Sequence, residues 1–275
     1  MIEESVFLFR VRLFERREND LFDRASREEV LIKSVSNKNL TFFSFGSEWR
    51  FGNFEKINDD WCFFRVGKTH QEKNEKYESG EYSEATVDIG FSSKIIMNVK
   101  TGVMAVFQNR NLADNTNIIA KRIGDLINFS EIAAFNGYDV VVKQIFDTKN
   151  FIELINSSEK IHAITITCRQ RNHPDIGMFF HEQLEEGVEI FNGEEAKTTI
   201  SGNDLAKEPI LEALKSTAQT GDTVSVKMKL PNQRRSTWRS FEKKYPAKII
   251  LPESASNTES ITEIVNCYNG IGNEN

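Results

Sequence analysis

The first residues alternate. In SVFLFRVRLFERR, Phe7, Phe9, Val11 and Leu13 fall on one side and Leu8, Arg10, Arg12 and Phe14 on the other, a period of two that predicts a half-exposed strand. The ring-rich stretch NLTFFSFGSEWRFGNFEKINDDWCFFRVGKT predicts two or three short strands, with Asn58-Asp59-Asp60 as a hairpin turn before WCFFRVG. Residues 68–84, KTHQEKNEKYESGEYSE, are dense in both charges and nearly free of apolar side chains. They read as a solvent loop. Two further strands flank Lys100-Thr101-Gly102, where Gly102 suits the positive φ of a tight hairpin. Ile118, Ile119, Ile123, Leu126 and Ile127 then recur at helical spacing.

From Asn136-Gly137 onward strands and helices alternate. The pattern predicts strand YDVVVKQIF, helix TKNFIELINSS, strand KIHAITITCRQ, a break at NHPD and helix IGMFFHEQLEEG. Strand AKTTISGN, helix EPILEALKSTAQTG and strand DTVSVKMKL follow. Pro209 falls in a first helical turn, where its missing N–H costs nothing. The fold class expected is α+β: an N-terminal, mostly antiparallel sheet with a helix over 1–135, then a strand/helix-alternating α+β sandwich over 136–252. Residues 253–275 read as a polar tail with one short helix, TESITEIVNCY.

Composition sharpens this only slightly. With 21 Phe against 5 Tyr, the cores are filled by rings that need no hydrogen-bond partner. No apolar run is long enough to span a bilayer, and the acidic start MIEESVF lacks the basic residues of a signal peptide. A cytoplasmic protein is expected. Cys62, Cys168 and Cys267 form no pair at metal-binding spacing, and no Walker or dinucleotide glycine motif is present. No cofactor or metal is expected.

Charge supplies the main lead. Residues 227–248, KMKLPNQRRSTWRSFEKKYPAK, hold eight cations against the single carboxylate Glu242, a local +7 in a chain of net charge −6. Phosphate binding needs convergent cations, and single strands need aromatic platforms as well. Here Trp238, Phe241 and Tyr245 are interleaved with Arg234, Arg235, Arg239, Lys243 and Lys244. If STWRSFEKKY is helical, the rings line one face and the arginines the other, and the simplest reading of such a helix is a solvated face over buried rings, with phosphate contact and then a dock for an acidic protein as the alternatives. Arg169 and Arg171, with His173, form a second basic cluster at a predicted strand end. Asp175, Glu195 and Lys197 have the residue types of a metal-dependent nuclease, but the segment between them reads as a helix where that chemistry wants neighbouring strands. Three readings follow: a non-catalytic DNA-binding protein, a protein-interaction subunit or inhibitor, and a nuclease.

The progression GNFEKINDDWCFFRVGKT, polar segment, IGFSSKIIMNVKTGVMAVF, DNTNIIAKRIGDLI and YDVVVKQIFDTKNFIELINSSEKIHAITITCRQ resembles the RexA family of phage-exclusion proteins of lambda-like prophages, over most of residues 45–250. The resemblance implies a two-domain homodimer that binds DNA without strong sequence preference and acts in abortive infection beside a membrane effector protein. It assigns no individual site residue.

Overall fold

The computed structural model describes residues 3–15, 25–169, 195–220, 223–240 and 245–271. Its class is α+β, with antiparallel strand pairing throughout the registers given below. The chain divides into two compact units, residues 15–142 and residues 1–14 with 143–275.

In the unit of residues 15–142, five strands run in sequence order across an antiparallel meander: β2 (Thr41–Ser44), β3 (Ser47–Lys56), β4 (Trp61–Glu78), β5 (Glu81–Asn98) and β6 (Val103–Phe107). Two of its turns are those the sequence predicts. Asn58 Oδ1 accepts from the backbone N–H groups of Asp60 and Trp61. Gly102 takes φ +74° as its N–H reaches Asn98 O at 2.8 Å, a conformation that costs glycine little. Trp49, Phe51, Phe64, Val66, Ile95 and Met97 are buried, with Phe51 and Phe64 meeting edge to face at 5.5 Å between centroids. Helix α2 (Thr116–Phe129) is capped by Asn115, whose side chain accepts from Ile118 N, and buries Ile119, Ile123, Leu126 and Ile127. The short α3 (Glu131–Phe135) continues from Ser130. Helix α1 (Arg27–Ser36), which the periodicity above does not predict, is capped by Ser26 and buries Val30, Leu31 and Val35.

The segment read as a solvent loop at 68–84 is not a loop. β4 and β5 pair without a break from Trp61↔Asn98 to Glu78↔Glu81, and Ser79 and Gly80 make the turn with φ +55° and +93°. Two positive φ values match the right-handed twist of a two-residue hairpin. The outer half lacks apolar residues because backbone pairing sustains it, helped by a Lys73–Glu84 ion pair at 3.7 Å and the Tyr77 and Tyr82 rings at 4.9 Å.

In the unit of residues 1–14 with 143–275, β1 (Glu3–Glu15) pairs with β12 (Lys248–Pro252) from Glu3↔Pro252 to Phe7↔Lys248. The expectation of a half-exposed β1 is corrected: Leu8, Phe9, Arg10, Val11, Arg12 and Leu13 are all buried. A buried guanidinium needs hydrogen-bond partners, and Arg10 Nη1 donates to the Tyr268 hydroxyl at 2.6 Å from helix α6 (Asn257–Gly270).

The same unit contains a four-stranded sheet in the order β11 (Thr237–Ser240), β10 (Thr223–Lys229), β8 (Lys160–Arg169), β9 (Glu195–Ser201). Helix α5 (Lys207–Thr220), with Pro209 in its first turn, packs on β8 and β10, and α4 (Lys149–Ser157) packs on α5. β7 (Tyr138–Gln144) carries the chain across the division between the two units. No helix among the described residues is long and apolar enough to cross a membrane.

Candidate nucleic-acid interface

β10 reads Thr223-Val-Ser-Val-Lys-Met-Lys229, and its burial alternates with it. Val224, Val226 and Met228 are buried, together with Ile161, Ile164 and Ile166 of β8, on the side that α5 covers. The intervening positions carry hydroxyls and cations. Residues directly opposite share a face, so the registers place Trp238, Lys227, Ala163 and Ser201 in one row across the sheet. Ser240, Ser225, Thr165 and Thr199 form the next row, and Thr223, Thr167 and Lys197 the one after. Thr165 and Thr199 share a hydrogen bond across the strands at 2.8 Å. Among the described residues no helix packs on this side.

The first row is concave. A register shift between Lys227 and Met228 leaves His162 as an extra residue on β8, and such a bulge re-aims its neighbours. The β9–α5 connection holds it in place, with Gly202 N donating to His162 O at 2.9 Å and Leu205 N to Ile161 O at 2.8 Å. Ala163, small and buried, forms the floor. A cavity of about 560 Å³ results, lined by His162, Ala163, Ser201, Lys227, Arg235 and Trp238 among others.

The β10–β11 turn brings Arg235 to this cavity. Leu230-Pro231-Asn232-Gln233 closes with Gln233 N donating to Leu230 O at 3.1 Å, and Asn232 has φ +68°. Proline followed by a positive-φ asparagine is type II turn chemistry. Trp238 then lies opposite Lys227 with 49% of its surface exposed.

The predicted site residues divide accordingly. Arg235 and Trp238 come together with Lys227, and Arg234 is exposed beside them on the turn. Arg239 pairs with Val226, which puts it on the opposite face, and its Nε is buried without a hydrogen-bond partner. Arg169 ends β8 opposite Glu195, six residues from Ala163 or about 20 Å along the strand. Arg171, Lys243 and Lys244 lie outside the described residues, as do Asp175, His173 and His181. The helical alternative for STWRSFEKKY does not hold over Thr237–Ser240, which is the edge strand β11. Lys197, His162 and the Ser/Thr rows did not figure in the basic-segment reading. Their signal was the polar half of the alternation in AITIT and KTTIS.

Of the nuclease residues, Glu195 and Lys197 are alternate residues of β9. Among the described residues no three His, Cys, Asp or Glu side chains converge on a point that would hold a metal ion. Cys62 and Cys267 offer no nucleophile. Burial pushes the Cys62 thiol up to about 12, and burial with the nearby Asp147 carboxylate raises Cys267 to about 11, so neither forms appreciable thiolate at neutral pH.

No protein-family model matches this chain. No curated protein matches it either.

Proposed function

We propose that the open face of the four-stranded sheet binds nucleic acid, without strong sequence preference and without cleaving it. The observation that carries the reading is the row in which half-exposed Trp238 stands beside Lys227 and Arg235 on a Ser/Thr surface. An exposed indole offers a stacking platform that accepts any base, and neighbouring cations meet the phosphates. Short hydroxyl side chains keep the surface flat and donate hydrogen bonds to phosphate or sugar oxygens. Lys197 extends the surface two rows along, and Arg234 extends it at the β10–β11 turn. Lys243 and Lys244 add charge to the same basic segment. An acidic chain with one basic face confines a polyanion to that face. The phage-exclusion setting, the homodimer and the membrane effector belong to this proposal through the resemblance to the RexA family.

Fluorescence anisotropy of a labelled single strand and its duplex, titrated across salt with and without magnesium, tests the proposal. If Lys197, Lys227 and Arg235 each neutralise one phosphate, the log–log salt slope is about −2 on single strands and about −3 on duplex. No cleavage is expected. Lys227→Glu combined with Arg235→Glu should weaken binding on the order of 100-fold for every sequence. Salt-independent binding, or an unaffected double variant, overturns the reading.

A further inference from the structure

The unit of residues 15–142 contains a second cavity, of about 300 Å³, at the lower end of the range for small-molecule sites. Three stretches distant in sequence converge on it. The β2–β3 turn contributes Phe45, β3 Trp49, β4 Lys68, and the connection from β6 into α2 contributes Arg110 and Asp114, with Arg122 following on α2 itself.

Phe45 is 94% exposed and held at φ +49°. With Gly46 at φ +73°, it makes the two-residue turn of the β2–β3 hairpin between Ser44 and Ser47, which leaves the ring standing out in solvent. The Arg122 guanidinium carbon lies 5.3 Å from the Phe45 ring centroid, while Arg122 Nη1 donates to Asp125 Oδ2 at 2.6 Å. Arg122 is thus neutralised and oriented, and it braces one side of the ring.

Lys68 and Arg110 differ from it. Lys68 Nζ sits 6.0 Å from the Trp49 ring centroid, and among the described residues neither Lys68 nor Arg110 has a carboxylate partner. The loop that presents Arg110 is pinned. Asn109 Nδ2 donates to Ser92 O at 2.8 Å, and the Asn109 side chain accepts from Asn111 N at 3.0 Å. Two cations without an ion-pair partner among the described residues offer an anion site, an exposed ring nearby forms a planar platform, and the Asp114 carboxylate in the same cavity supplies an acceptor for hydroxyl or N–H groups.

From these positions we infer that this cavity binds a nucleoside 5′-phosphate, with the phosphate on Lys68 and Arg110, the base against Phe45, and ribose hydroxyl or base N–H groups on Asp114. The site is distinct from the four-stranded sheet's open face and does not depend on it.

Calorimetric titration of the full chain with AMP, GMP, CMP and UMP, and with adenosine and inorganic phosphate as controls, tests the inference. At least one nucleotide should bind saturably, and both controls should bind at least tenfold more weakly, since each lacks one half of the recognition. Lys68→Gln and Arg110→Gln should each weaken nucleotide binding about tenfold or more, and Phe45→Ser about fivefold or more. Because Phe45 and Arg110 are exposed, an unchanged melting curve separates lost binding from lost folding. Trp238→Ala should leave nucleotide binding intact, so failure of one site is distinguishable from failure of the other. No heat from any of the four nucleotides, adenosine binding as tightly as AMP, or variants that bind as the parent does overturns the inference.

Discussion

The two faces of the four-stranded sheet are built from the same strands, one residue apart, and share almost no chemistry. One carries Val224, Val226, Met228, Ile161, Ile164 and Ile166, buried on the side of α5. The other carries Ser225, Lys227, Thr165, Thr167, Thr199 and Trp238, none of them buried. The period of a strand lets stability and recognition be written into alternate positions of one segment. Changing a residue on one face should therefore leave the property of the other almost untouched.

The sharpest break in that comparison is at adjacent residues of β8. Ile164→Ala removes a side chain at 4% exposure from under the helices and should cost about 2–5 kcal/mol in urea denaturation. Its neighbour Thr165→Ala loses the exposed hydrogen bond to Thr199 and should cost no more than about 1 kcal/mol. Comparable losses at both positions would mean that the second face is covered too.

Next in size is the pair on β11. Trp238→Ala should weaken single-strand binding by about 1–3 kcal/mol, with little change in melting temperature. Arg239→Ala should leave affinity almost unchanged, because its register partner Val226 places it on the helix side. An affinity loss at Arg239 equal to that at Trp238 would return the binding surface to the whole basic segment and away from one face of it.

The smallest effect lies away from the sheet. Ser256 and Glu259 form a capping box at the start of α6, with Glu259 Oε2 2.8 Å from Ser256 N. The Ser256 backbone N–H, and then its hydroxyl, hold the Glu259 carboxyl below the usual carboxylate range. A carboxyl with a depressed folded-state pKa stabilises the fold above its unfolded pKa and loses that contribution as pH falls through the folded value. Ser256→Ala should cost about 1 kcal/mol at neutral pH, and the difference from the parent in thermal melts should shrink on acidification. A pH-independent difference would assign the cap to the serine alone.

Sequence made the α+β class legible because most elements carry strong local signals. Gly102 marks a tight turn, Asn58 an Asx turn, and Ile119, Ile123, Leu126 and Ile127 of α2 a single buried stripe, although Ile118, expected with them, is exposed. Strand β12 escaped as well as three other elements, and those three did so for separable reasons. The outer half of the β4–β5 hairpin has no buried face, so neither periodicity nor composition registers its backbone pairing. Helix α1 is announced by Ser26 and Glu29 at capping spacing, with Glu28 and Glu29 in its first turn, a signal hidden among the charges of RASREEV. In β11, the spacing of Trp238, Phe241 and Tyr245 imitates a helix, and only the pairing with β10 makes a strand of residues 237–240.

The candidate site was legible as charge and hidden as geometry. Arg235 and Trp238 stand out in the basic segment, whereas Lys197 and His162 come from distant strands and reach the same surface only through sheet register. Arg239 has the same charge as Arg235 and ends on the other face, which a charge count along the chain cannot detect.

Photo-crosslinking of a thymine-rich single strand to the full chain, with the attached peptides mapped by mass spectrometry, tests the assignment of the binding surface most directly. Crosslinks on the peptide containing Trp238, lost in Lys227→Glu with Arg235→Glu, are the expected result. Crosslinks confined to peptides away from β8, β9, β10 and β11 would contradict it.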